Sequence, residues 1–182
     1  MAPTYSKQMP TGTMMPAFEL PGTDGNTYSP SSFAEAEILV VVFTCNHCPY
    51  AVASEDRLIE LQKDFALAGV QFVLISSNDA MHYPEDSFAN MVLRAKKKDF
   101  PFPYLYDETQ EAAHAYNAAC TPDIFVFDSL RTLRYNGRID DNWQQRDKVT
   151  REELRTALED LLAGREISFE PVPSIGCSIK WK

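Results

Sequence analysis

The chemistry open to this sequence is concentrated in Cys45-Asn46-His47-Cys48, set directly after the apolar run Ile38-Leu39-Val40-Val41-Val42-Phe43. Two cysteines separated by two residues can close a small disulfide ring. If a helix begins there, its unpaired N–H groups and positive dipole end favour a thiolate. The thiolate is the species that attacks a disulfide. The same spacing could form half of a zinc site, but a four-cysteine site needs a second close pair. The remaining cysteines, Cys120 and Cys177, stand alone and far apart. Redox chemistry is therefore preferred to metal binding, and neither a metal nor an organic cofactor is called for.

Pro49 leaves the start of the helix open. A helix beginning near Cys45 would lose the N–H that bonds the Cys45 carbonyl. One beginning at Cys48 would place Pro49 at the first helical position, where proline is favoured. The first placement gives the dipole to Cys45 and makes it the exchange nucleophile; the second gives it to Cys48, as in peroxidases. The first is adopted as the expectation.

The elements that must position these residues follow from periodicity and punctuation. Residues 1–16 carry three prolines and form an irregular lead-in. Phe18-Glu19-Leu20 and the segment to Tyr28 read as two short strands around an Asp24-Gly25 turn. The run at 38–43 is too uniformly apolar for a half-exposed strand and belongs in the middle of a covered sheet. A helix follows, with Leu58, Leu61 and Phe65 on one face, ended by Gly69. Residues 70–76 form a second buried strand. Pro84-Glu85-Asp86 opens a helix running to Lys96-Lys97-Lys98, whose charges suit a carboxyl-terminal dipole. A short strand at 104–107 and a short helix at 111–117 come next. Strands at 124–127 and 133–139 flank an Asp128-Ser129 turn. Thr150 and Glu153 have the spacing of a capping box, beginning a helix with Leu154, Leu158, Leu161 and Leu162 on one stripe. The tail, 166–182, is apolar but broken by Pro171 and Pro173, and docks on the body.

The order is βαβα, a short third unit, then ββα. It predicts an α/β fold with helices on both faces of a mixed sheet, parallel first and antiparallel later. The chain of 182 residues suits one domain. Its formal charge of −9 repels phosphate backbones, which argues against nucleic acid. No stretch is long and apolar enough to span a membrane. The amino terminus lacks an apolar signal core, so a cytoplasmic location is expected. In that reducing compartment a C-x-x-C pair is more often catalytic than structural.

A strand, then C-x-x-C, then an X-Pro step before a later strand resembles the thioredoxin arrangement. Together with Phe43-Thr44-Cys45-Asn46-His47-Cys48-Pro49-Tyr50, Cys120-Thr121-Pro122-Asp123, Gly137-Arg138-Ile139-Asp140-Asp141 and Gly176-Cys177-Ser178-Ile179-Lys180-Trp181, the whole chain is similar to small thioredoxin-like, peroxiredoxin-related (AhpC/TSA-like) proteins. The resemblance implies a thioredoxin-like fold carrying an amino-terminal β-hairpin, with Cys45 and Cys48 as the redox pair. It also implies a cis Thr121–Pro122 bond, with Thr121 and Pro122 offering backbone to an extended substrate strand. His47 resembles the loop histidine of disulfide isomerases and oxidases. Donating to the Cys45 sulfur, it would stabilise the thiolate and raise the potential towards about −200 mV.

The chain departs from the pattern in three ways. Proline follows the redox loop rather than lying inside it. The strand before the loop holds no buried carboxylate to shuttle a proton. Thr44 lies four residues before Cys48, not the three of peroxiredoxins.

The function expected is thiol–disulfide oxidoreductase, with Cys45 attacking, Cys48 resolving and His47 tuning. Substrates would be disulfide-bearing proteins or small thiols, and the thioredoxin or glutathione system would return electrons. A thiol peroxidase with Cys48 peroxidatic is the alternative, and a Cu(I) chaperone the third reading. Cys120 and Cys177 are possible additional redox thiols, although Cys120 also reads as a buried small hydrophobe. Tyr50, Trp143, Asp140 and Asp141 are candidates for the rim, with a solvated acidic turn preferred for the two aspartates. His82 and His114 read as surface or packing residues.

Overall fold

The uniformly apolar run does become the centre of the structure. In the computed structural model, which describes residues 3–182, β4 (Ile38–Thr44) is buried at every position. It lies between β5 (Val70–Ser76) and β8 (Asp123–Phe127) in a five-stranded sheet of order β6-β5-β4-β8-β9, with β6 at Tyr104–Tyr106 and β9 at Leu133–Asn136. β4 pairs parallel with β5, and β5 with β6; β8 runs antiparallel to both β4 and β9. The expected thioredoxin-like α/β arrangement is the one observed.

Successive side chains on a strand point to opposite faces, and both faces of β4 are covered. Ile38, Val40 and Val42 pack with Leu58, Leu61 and Phe65 of α1 (Pro49–Phe65), Met91 of α2 (Phe88–Lys98), and Leu154 and Leu158 of α4 (Glu153–Leu162). Leu39, Val41 and Phe43 face Ala112 and Ala113 of α3 (Glu111–Ala115), along with Tyr116, Phe18 and Leu20. Each such Leu or Phe contributes about 1.5–3 kcal/mol by burial. The parallel β4–β5 pair brings both carboxyl-terminal ends to one edge, where ligand sites of open α/β sheets form.

The hairpin of β2 (Leu20–Pro21) and β3 (Thr27–Tyr28) turns at Gly25, whose φ of +88° suits glycine. Four expectations need correction. The lead-in holds a short strand, β1 (Thr4–Tyr5), paired with the tail strand β10 (Ile175–Ser178); Met1 and Ala2 lie outside the described residues. Pro84–Asp86 is a separate 3-10 turn, because Ser87 is extended (ψ 151°) and α2 starts after it. β9 ends at Asn136 rather than 139. Thr150 forms no capping box; its side chain and N–H bond Asp141 instead, and α4 begins at Glu153.

Candidate active site

β4 ends at Thr44, and Cys45-Asn46-His47 cross the sheet edge as a loop. The helix then starts at Pro49: Cys48 is the N-cap, with φ −69° and ψ 123°, and its carbonyl accepts the first helical bond from Val52 N at 2.9 Å. Of the two starts left open by the sequence, the second is correct, and the expected assignment of the helix dipole to Cys45 is overturned. The reason is steric: proline is accommodated at the first helical position and clashes one turn further in.

Cys45 and Cys48 pack together in one cluster, and both residues are free thiols buried from solvent. Their surroundings push the two thiols in opposite directions. Cys48 is pushed down to about 4, chiefly by the adjoining Cys45 thiol, against the opposing effect of burial; Cys177, Thr121 and the Ala51 N–H also lower it. Cys45 is pushed up by the adjoining Cys48, by burial and by the charge of Asp86. The Thr121 carbonyl, 3.1 Å from the Cys48 sulfur, accepts the Cys48 proton when the thiol form is present. The N-cap position at the positive end of α1 and the electrostatics both favour the thiolate on Cys48.

His47 does not serve Cys45 as expected. Its Nδ1 lies 2.6 Å from Asp86, and its ring stacks on Tyr83 at 5.4 Å. Asp86, fully buried, also accepts from the Asn46 N–H and from Asn78 Nδ2, each at 2.7 Å. A buried carboxylate beside the redox loop is therefore present after all, delivered by the turn after β5 rather than by the preceding strand. Ligand-capable atoms of Cys45, His47 and Asp86 lie within 4.8 Å of one another. Two donors on a tetrahedral zinc with bonds near 2 Å stand roughly 3.3 Å apart. At 2.6 Å, His47 and Asp86 have the spacing of a hydrogen bond instead.

The Thr121–Pro122 bond is cis, as the resemblance implied. Thr121 Oγ1 stands 3.5 Å from the Cys45 sulfur. β7 (Cys120–Thr121) precedes this bond directly. The sequence profile of the Redoxin family matches residues 10–158. The chain belongs to the Redoxin family. Among solved structures, an uncharacterized conserved protein from Geobacillus kaustophilus is 45% identical with a TM-score of 0.95, covering 100% of this chain and 97% of that one. A hypothetical protein from Sinorhizobium meliloti 1021 is 38% identical with a TM-score of 0.93, covering 98% of each. The thioredoxin domain of a thiol-disulfide oxidoreductase from Bacteroides vulgatus shares the fold at 15% identity and a TM-score of 0.60, covering 71% of this chain and 89% of that one. No curated protein matches the chain.

In this Redoxin-family chain the backbone of Thr121 is not open to a substrate strand. β10 pairs antiparallel with β7, setting Cys177 opposite Thr121 and Ser178 opposite Cys120. Cys177 packs against the Cys45, Cys48 and Ala51 group and is half-buried. Cys120 is fully buried, its thiol facing the carbonyls of Pro122 and Ser174 at 3.5 and 3.8 Å, and burial pushes it up. It packs as the small hydrophobe and stands outside the group around Cys48.

The rest of the tail is tied down around the site. Lys180 N donates to Asn78 Oδ1 at 2.8 Å, the Lys180 carbonyl accepts from Asp79 N at 2.8 Å, and Trp181 stacks on His114 at 4.3 Å. His82 is exposed and paired with Asp79. On the far side, the rings of Tyr50 and Trp143 meet at 3.9 Å, tilted by 32°, and share a cleft with Pro122 and Asp140. Asp140 is not a solvated turn residue. It is 8% exposed and holds Arg57 through both oxygens, at 3.0 and 2.7 Å. Asp86 was missed because its partners lie 8 to 40 residues away. The available signal was an acidic residue in the Pro84-Glu85-Asp86 turn between a buried strand and the next helix.

Proposed function

We propose that this protein is a thiol–disulfide oxidoreductase whose working pair is Cys45 and Cys48. The observation that carries the reading is the placement of Cys48 as the N-cap of α1, where the helix dipole favours a thiolate, with the buried thiol of Cys45 packed against it. Cys48 attacks a substrate disulfide, one sulfur of the substrate leaves as thiolate, and a mixed disulfide remains on Cys48. Cys45 then gives up its proton and attacks the Cys48 sulfur, releasing the second substrate thiol and closing the Cys45–Cys48 disulfide. Asp86, whose charge acts on Cys45, suits the role of receiving that proton, with His47 and Asn78 holding it in place. Substrates are disulfide-bearing proteins or small disulfides. A thioredoxin or glutathione system in a reducing compartment such as the cytoplasm returns the electrons.

A thiolate on Cys48 followed by Pro49 equally supports a second reading, thiol peroxidase. There the Cys48 thiolate attacks a peroxide oxygen, forming sulfenic acid and releasing an alcohol or water, and Cys45 condenses with the sulfenic acid, expelling water. Equilibration of the protein in dithiothreitol or glutathione buffers, with peptide mapping, tests the first reading. A reversible two-electron transition confined to Cys45 and Cys48 is expected. Peroxide consuming the reduced protein orders of magnitude faster than disulfides do, with Cys48 sulfenic acid as the first product, would move the assignment to peroxidase.

A further inference from the structure

The edge that a substrate strand would use is filled by the protein's own carboxyl-terminal strand. β10 lies antiparallel on β7, with Cys177 opposite Thr121 and packed on the Cys45 and Cys48 group. The fit is built into the sequence. A Cβ on Gly176 would sit 2.0 Å from the Thr121 carbonyl oxygen, so only glycine permits this approach. The strand is held from its other edge by β1, and Ile179 N bonds the Ala119 carbonyl at 3.1 Å. Of the thiols gathered here, Cys45 is 2% exposed and Cys48 0%, whereas Cys177 is only half-buried.

We propose that β10 is a built-in substrate strand, and that Cys177 is the third thiol of the redox centre, carrying electrons from an external dithiol to the buried Cys45–Cys48 disulfide. This rests on Cys45 and Cys48 being the exchanging pair. In the first step the Cys177 thiolate attacks the Cys48 sulfur of the disulfide. The Cys45–Cys48 bond breaks as the Cys48–Cys177 bond forms, and Cys45 leaves as a thiolate that takes up the proton given up by Cys177. In the second step one thiolate of the external dithiol attacks the Cys177 sulfur and Cys48 leaves as thiolate. The reductant's other thiol then closes its own disulfide and releases Cys177. Two electrons enter the protein, one external dithiol becomes a disulfide, and Cys45, Cys48 and Cys177 all end reduced.

The timing of Cys177 ionisation and the second step fit the chemistry of the centre. In the reduced protein Cys177 is pushed up to about 11, first by burial and then by the neighbouring Cys48 and its charge, with Lys180 opposing. Once Cys48 is in a disulfide it carries no charge, so the two contributions from Cys48 vanish and Cys177 ionises more readily. The relay thiol is held inactive while the pair is reduced and released when the pair is oxidised. In the second step the leaving sulfur is Cys48, the most acidic thiol of the group, and an acidic thiol leaves fastest.

The test oxidises full-length protein with diamide and maps its disulfides. Wild type should yield a Cys45–Cys48 disulfide; its absence would end the functional reading itself. Cys45→Ser should yield a Cys48–Cys177 cross-link. An oxidised Cys48 beside an alkylatable Cys177 in that variant, with the wild-type disulfide intact, would overturn the relay alone. As a second measurement, oxidised Cys177→Ser should be reduced by thioredoxin about tenfold or more slowly than oxidised wild type, because its buried disulfide has lost its accessible partner sulfur. Both proteins should be reduced equally fast once unfolded in guanidinium. Equal native rates would overturn the relay.

Discussion

Removing the Cys45 thiol should raise the pKa of Cys48 and leave the fold in place. Cys48 is held at about 4 in the folded protein, and the adjoining Cys45 thiol is the largest cause. A free thiol titrates near 8.5. Because the folded value is depressed, the stabilisation from ionised Cys48 is complete above about 8.5 and is lost as pH falls through about 4. A hydrogen bond to a charged group contributes about 1.5–3 kcal/mol, so Cys45→Ala should raise Cys48 by roughly one to two units. Cys45→Ser, which keeps an O–H donor, should stay near wild type. Ultraviolet thiolate absorbance against pH reads all three proteins, with Cys48→Ser as the blank. A wild-type midpoint near 8.5, or a low-pH thiolate surviving in Cys48→Ser, would refute the reasoning.

Other consequences are accessible to ordinary variants. Gly176→Ala should lift β10 from β7, seen as loss of hydrogen-exchange protection in residues 175–179 and faster alkylation of Cys45 and Cys48; unchanged protection would contradict the close approach at Thr121. Arg57→Ala strands Asp140 without its buried partner and should cost about 3–5 kcal/mol, lowering Tm by roughly 10 °C in calorimetry. Asp86→Asn removes the charge that raises Cys45, so the Cys45 pKa should fall in the titration above, while a rise would argue against that electrostatic effect. Asp123, pushed up to about 6 by burial, favours the protonated folded state, so its effect weakens stability as pH rises from about 4 to 6. Carboxyl chemical shifts against pH should give Asp123 a midpoint well above an ordinary aspartate.

What the sequence made legible was what local patterning dictates. The unbroken apolar run at 38–43 could only be a doubly covered strand, and it became β4. Leu58, Leu61 and Phe65 marked the buried face of α1, and Gly69, with φ +84°, closed the turn after it. The C-x-x-C pair and Thr121–Pro122 were brought together as the resemblance implied. What failed depended on partners distant in the chain. Thr150 had the spacing of a cap but found Asp141 first. His47 was read beside its sequence neighbours, whereas its partner is Asp86, brought across from the turn before α2. The choice between two helix starts turned on Pro49, whose ring is accommodated at the first helical position and not one turn further in. The seating of β10 over Thr121 was illegible because Gly176 alone does not reveal which backbone it approaches.

The central claim is that Cys48 carries the reactive thiolate and Cys45 resolves. It is tested most directly by trapping mixed disulfides with a small disulfide such as oxidised glutathione. The double variant Cys45→Ser/Cys177→Ser, which lacks both neighbouring thiols able to resolve, should accumulate a stable adduct on Cys48, identified by mass spectrometry of the modified peptide. Cys48→Ser should accumulate almost none on Cys45, whose proton is held by burial and by the charge of Asp86. Efficient trapping on Cys45 in Cys48→Ser, with Cys48 inert in the double variant, would contradict the account and restore Cys45 as the nucleophile.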